Sequence, residues 1–120
     1  MIYVSGPRIS RFLVEVVSTP QDMQRGLGYR QSLNARQGML FVFNDSARQS
    51  MWMKGMNFPL DIVWLDENKT IVKIYENVPI CKDNCISYSS FYKAKYAIEL
   101  NAFDASRIGL EVGKALQFSV

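Results

Sequence analysis

The chain of 120 residues has no histidine and only two cysteines, Cys81 and Cys85. Without histidine there is no Ser-His-Asp or Cys-His nucleophile pair, no imidazole general base and no histidine-containing zinc site. Two thiols cannot form a four-thiolate zinc cage within one chain. The eleven acidic residues are scattered, with no calcium-loop spacing, so neither a metal nor another cofactor is expected. No run approaches the roughly 20 apolar residues that span a bilayer, so no transmembrane segment is expected. The opening residues, MIYVSGPRIS, lack an apolar core long enough for a secretory signal. Two settings stay open: a cytosolic protein, or a mature or trimmed form of an exported one. Fourteen basic residues run from Arg8 to Lys114 with no dense cluster and give a net charge of +3. A nucleic-acid partner is therefore not expected.

What is present is a domain-sized chain, 48% hydrophobic and 21% charged, able to bury one core. Short alternating or apolar runs between turn residues dominate it. They predict a mainly β fold: residues 1–10 as an N-terminal extension, and 11–120 as one compact domain. Its expected architecture is a β-sandwich, or a jelly-roll-like or barrel form, with two short helices. Arg11 to Val17 reads as a strand. Thr19 then caps a helix with Pro20 in its first turn, and Gly26 and Gly28 end it. Gly38 to Phe43 is an apolar strand broken by Asn44-Asp45-Ser46, and Ser50 to Met53 is the next. Asp61–Leu65 and Thr70–Tyr75 flank a polar connection and form the clearest hairpin. Asn77 to Phe91 reads as a long irregular segment. Lys95 to Leu100 is a late strand, Asn101 caps a second helix ending at Gly109, and Leu116 to Val120 closes the sheet.

Three places carry polar groups that packing alone does not demand. Cys81 and Cys85 enclose a polar loop. A disulfide there stabilises by about 2 kcal/mol before strain; two free thiols are the alternative, and a redox pair fits less well because the spacing is not Cys-x-x-Cys. The stretch from Ser50 to Asp66 gathers Trp52, Trp64 and three methionines around Lys54 and Asp61. Period-two alternation puts Ile62 and Trp64 on one face, with Asp61, Val63 and Leu65 on the other. Asp61 among apolar neighbours needs a partner: Arg25, Lys54 or backbone N–H groups. Glu99 sits inside an apolar strand, and alternation groups it with Ala97 rather than with Tyr96, Ile98 and Leu100. Should Asp61 and Glu99 share a cavity, they would form an acid–base pair.

The order of pieces extends this. Val14-Glu15-Val16, Thr19-Pro20 and Gln24-Arg25-Gly26-Leu27 precede Gly38 to Phe43. Trp52-Met53-Lys54, Pro59 to Ile62, Glu76-Asn77, Pro79, Cys81, Cys85 and Tyr88 follow, then Glu99 to Ala102, Gly109 and Val112-Gly113. From about Phe12 to Phe118 the chain resembles the prokaryotic domain of unknown function 192 family. The resemblance implies a compact β-sandwich or jelly-roll-like domain with short helices. It also implies an extracytoplasmic, exported or membrane-associated setting, because relatives often carry a signal or anchor, and it brings no established activity. Three positions depart from the family pattern. Gly55-Met56 stands where many relatives have Asn-Thr, the cysteine spacing is one residue shorter, and Ala102-Phe103 replaces Ala-Gly.

The leading expectation is a non-catalytic, extracytoplasmic module that binds a small polar or glycan-like ligand through Arg25, Trp52, Lys54, Asp61 and Tyr88. One rival is a hydrolase or lyase using Asp61 and Glu99 as acid and base. The other is an envelope protein-interaction domain. Convergence of Arg25, Lys54, Asp61 and Glu99 in one pocket would decide between them.

Overall fold

A computed structural model describes residues 1–120. Six strands form one sheet: β1 (Ile2–Gly6), β2 (Ile9–Val17), β3 (Gln37–Met51), β4 (Leu60–Leu65), β5 (Ile71–Val78) and β6 (Tyr88–Asn101). The helices are α1 (Pro20–Arg25), between β2 and β3, and α2 (Asp104–Ile108), after β6. The strand order is β1-β2-β3-β6-β4-β5. Only β2 and β3 run parallel, which their connection through α1 permits; the other neighbours are antiparallel. The fold is mainly β with two short helices, as its alternation predicts, and its sheet does not close into a barrel.

Parity assigns the core. On β4 and β6, Val63, Leu65, Tyr96, Ile98 and Leu100 face one hydrophobic cluster, completed by α2 and the C-terminal segment through Ala105, Ile108, Leu116 and Phe118. Leu60, Ile62, Trp64 and Ala97 face a second, with Met39 and Phe41 of β3 and Leu27 beyond α1. Both faces of the central strands are therefore covered, and all six residues of β4 are buried. The hairpin of β4 and β5 forms where its polar connection predicts, with the Asp66 carboxylate accepting from the N–H groups of Asn68 and Thr70.

Four expectations about the strands need correction. The first ten residues are not an extension: Ile2-Tyr3-Val4 pairs with Phe12 to Val14, and Val4 is buried. Asn44 to Ser46 does not end a strand, because β3 runs on to Met51 through a bulge that shifts the register between Val42 and Ala47. The irregular segment is shorter than Asn77–Phe91, since β5 reaches Val78 and β6 starts at Tyr88. Leu116 to Val120 adds no full strand and contributes one antiparallel bridge, Gln117 to Ser5.

Thr19 caps α1 as expected, its Oγ1 accepting from the Asp22 N–H at 3.2 Å, with Pro20 in the first turn. The helix ends at Gly26, whose φ of 51° suits glycine. Asn101 does not cap α2. Its side chain instead donates to the Leu33 carbonyl at 2.6 Å, and the residue before α2 is Phe103, in the left-handed region with φ 72°. Cys81 and Cys85 form a disulfide, Cα to Cα 5.6 Å.

Candidate functional site

Asp61 lies on the α2 side of the sheet, fully buried. Its Oδ1 accepts from the N–H groups of Asn77 at 2.8 Å and Phe103 at 3.0 Å, and its Oδ2 from that of Ala105 at 2.8 Å. It is the missing cap of α2, supplied by a strand more than forty residues earlier. Burial raises its carboxyl above the ordinary carboxylate range, while the three N–H donors oppose that rise by favouring the charge. With its oxygens committed to backbone, it is built into the scaffold.

Glu99 faces the other way. In the β4–β6 ladder Asp61 pairs with Leu100, and Ile62 with Glu99, so the two carboxylates project from opposite faces of one sheet. They share no cleft, and the acid–base pair is excluded by strand parity. Glu99 is 3% exposed, and burial pushes its carboxyl up to about 8, with the Leu27 N–H opposing. Its Oε1 has no hydrogen-bond partner. No ion pair reaches it. At pH 7 it is therefore mostly a neutral acid, holding one donor and spare acceptor capacity.

Above Glu99 opens a cavity of about 250 Å³. Glu99 and Phe41, both buried, make its floor. Half-buried Met23, Phe43, Met51 and Met56 make its walls, and exposed Gln24, Arg25, Ser50, Trp52 and Lys54 its rim. Gly26 lies over the floor, where a Cβ would stand 3.3 Å from Glu99 Oε1 and from the Phe41 ring. The last turn of α1 delivers Arg25, and the chain leaving β3 delivers Trp52 and Lys54. Lys54 Nζ lies 5.5 Å from the Trp52 ring centroid and Arg25 Cζ 5.8 Å from that of Tyr29. Neither cation has a carboxylate partner. A shallower hollow continues outward past Arg25, Trp52 and Lys54 to Tyr29. Lys54 also bridges to Cys81, so the disulfide loop abuts the strand end that carries the rim.

Four of the six residues singled out from the sequence thus meet: Arg25, Trp52, Lys54 and Glu99. Asp61 is across the sheet. Tyr88 does not line the cavity either; it packs edge-on against Tyr75, ring centroids 5.2 Å apart. The walls escaped the sequence reading because methionine and phenylalanine at these spacings look like core. The clustering of Met51, Met53 and Met56 around the tryptophan was the available signal, and Met53 alone of the three is fully buried.

Residues 2–118 match the family model for domain of unknown function 192 (DUF192), described as Uncharacterized ACR. The chain belongs to the DUF192 family. Two solved structures resemble this DUF192 domain. One, from Sinorhizobium meliloti and provisionally described as a transcription regulator, is 30% identical with a TM-score of 0.86, over 97% of this chain and 92% of that one. The other, a protein of unknown function from Novosphingobium aromaticivorans, is 23% identical with a TM-score of 0.85, over 98% of this chain and 83% of that one. The latter likeness is one of fold. No curated protein matches the DUF192 chain significantly.

Proposed function

We propose that this DUF192 domain is an extracytoplasmic small-ligand-binding module whose site is the cavity over Glu99. The observation that carries this reading is the Glu99 carboxyl, buried and with one oxygen unpartnered, at the floor of a cavity whose rim holds two cations without carboxylate partners. Unsatisfied buried polar atoms cost about 1–3 kcal/mol each, and a ligand hydrogen bond would recover that cost. Exposed Trp52 beside Lys54 offers a stacking surface at the mouth. The Cys81–Cys85 disulfide supports an oxidising compartment, where such bonds persist. The hydrolase or lyase reading loses its support, since Asp61 and Glu99 do not meet.

The test is isothermal titration calorimetry with three classes of small molecule: neutral monosaccharides, sugar acids and small organic acids. Saturable binding is expected from at least one class, weakened about tenfold or more by Trp52→Ala or Lys54→Ala. Binding that survives both substitutions would place the site elsewhere, and heats that never saturate with any class would remove the reading. For compartment, a fusion of the natural full-length protein to an activity that works only after export should be active; inactivity would count for the cytosol.

A further inference from the structure

The polarity of the cavity changes with depth, and this ordering defines its ligand. The rim is polar, with Gln24 and Ser50 beside the cations Arg25 and Lys54; the wall side chains of Met23, Phe43, Met51 and Met56 carry no N–H or O–H group, and the floor ends in one carboxyl with a free oxygen. A sugar ring presents hydroxyls around its whole edge, and each would be desolvated against Met23, Phe43, Met51 and Met56 without a partner. The middle of the ligand must therefore be apolar. An anionic outer end on the ligand complements the rim, where exposed Arg25 and Lys54 have no carboxylate partner. Its inner end must hydrogen-bond a carboxyl. Size sets the last limit. A dry cavity of about 150 Å³ admits benzene, so about 250 Å³ admits one ring with short substituents at its two ends.

Building on the ligand-binding reading above, we propose that this cavity takes a small aromatic hydroxy acid. Its carboxylate lies outward between Arg25 and Lys54, its ring lies among the methionines, and its hydroxyl meets Glu99. Methionine suits such a wall, since its polarizable sulfur packs well on aromatic rings and its flexible chain adapts to their shape. The neutral state of Glu99, favoured by its burial, keeps the floor from repelling an acid and leaves both a donor and an acceptor for the hydroxyl. The deeper hollow is thereby assigned to a different chemical class from the glycan-like ligand suggested by the exposed tryptophan.

Four probes test the assignment by calorimetry on the full chain: 4-hydroxybenzoate, benzoate, 4-hydroxybenzamide and D-glucuronate. The wild type should prefer 4-hydroxybenzoate to benzoate by at least about tenfold, the ratio expected when a buried group is built to bond a hydroxyl. It should prefer 4-hydroxybenzoate to the uncharged amide by a similar factor. Glu99→Leu should reduce the hydroxyl preference to within about twofold while benzoate still binds, and Glu99→Gln, which keeps a donor and an acceptor, should retain most of it. Arg25→Gln should reduce the preference for acid over amide and leave the hydroxyl preference in place. Thermal melts of each variant separate folding from binding. Equal affinities for 4-hydroxybenzoate and benzoate overturn the assignment. Tight binding of glucuronate alone overturns it too, yet leaves a ligand site at this cavity. If none of the four binds, the aromatic hydroxy-acid class is refuted, and the broader panel above decides whether the cavity binds anything.

Discussion

Replacing Asp61 should unfasten α2 without touching the cavity. The carboxylate holds three backbone N–H groups, from Asn77, Phe103 and Ala105, and α2 has no side-chain cap of its own. In Asp61→Ala the Ala105 N–H is left buried without a partner, costing about 1–3 kcal/mol. The Asn77 and Phe103 N–H groups belong to more exposed residues and partly regain water, costing about 0.5–1 kcal/mol each. The expected loss is about 2–5 kcal/mol, centred near 3.5, a large share of the ~5–15 kcal/mol of a typical domain. Asp61→Asn should cost less, about 2 kcal/mol, because its oxygen keeps two of the bonds while its NH2 opposes the Ala105 N–H. Part of the carboxylate's advantage is already offset by burial, which raises its pKa against the three donors. Urea unfolding followed by circular dichroism measures both. The midpoint should fall by about 1–2 M for the alanine variant with little change in slope. An alanine variant within 1 kcal/mol of wild type, or one indistinguishable from the asparagine variant, would refute the capping role. Ligand affinity of the folded fraction should not change, since Asp61 and the cavity lie on opposite faces.

Glu99 should make the protein lose stability as pH rises. Its folded pKa of about 8 exceeds the ordinary 4.5, so the stability of the protonated form is fully present below about pH 4.5 and is lost as pH climbs through 8. The span corresponds to about 5 kcal/mol at 1.36 kcal/mol per decade; Glu99→Gln should abolish most of that slope between pH 5 and 8, and parallel wild-type and variant curves would contradict the burial argument. Phe103 occupies the left-handed region at φ 72°, which favours glycine; Phe103→Gly should fold at least as stably as wild type and Phe103→Val about 1 kcal/mol less so, and a valine variant matching the glycine one would remove the strain account. Gly38→Ala would put a Cβ 2.3 Å from the Glu99 carbonyl oxygen and 2.8 Å from Leu100 Cδ2; a loss of about 2 kcal/mol or more is expected in thermal melts, and an unchanged melting temperature would show that β3 and β6 are less tightly apposed.

Alternation carried the sequence reading furthest in the central strands. It separated Ile62 and Trp64 from Val63 and Leu65, and Glu99 from Ile98 and Leu100, and both divisions match the two core faces. It failed where a partner was distant. Asn101 is the local choice to cap α2, and nothing near it in the chain announces that Asp61 takes that role. Ile2-Tyr3-Val4 has the composition of a strand, but its pairing with β2 turns around Pro7-Arg8, where Arg8 adopts φ 61°, whereas the sequence reading leaves residues 1–10 as an extension and starts its first strand at Arg11. Asn44 to Ser46 carries breaker residues, yet a bulge absorbs them and bends β3 without ending it. The cavity was legible in its polar members and illegible in its geometry, because α1, the end of β3 and the middle of β6 are brought together only by the strand order.

The same strand order explains why Glu99 and Asp61, two buried acids at adjacent rungs of one ladder, have opposite fates. Asp61 emerges where α2 turns back onto the sheet, and a helix start supplies N–H donors that a carboxylate satisfies fully. Glu99 emerges beneath Gly26, where α1 is ending and its N–H groups are already spent within the helix; the Gly26 N–H is held by the Asp22 carbonyl at 2.9 Å. The two buried polar side-chain atoms without partners, Glu99 Oε1 and Trp64 Nε1, both lie on this face, at diagonal positions across β4 and β6. A leucine at 99 would pack here without a desolvation cost, so the packing of β6 does not call for an acid. The acid gives the fold no saturated hydrogen-bond set in return, and the cavity is the side from which water or a ligand supplies the missing partner.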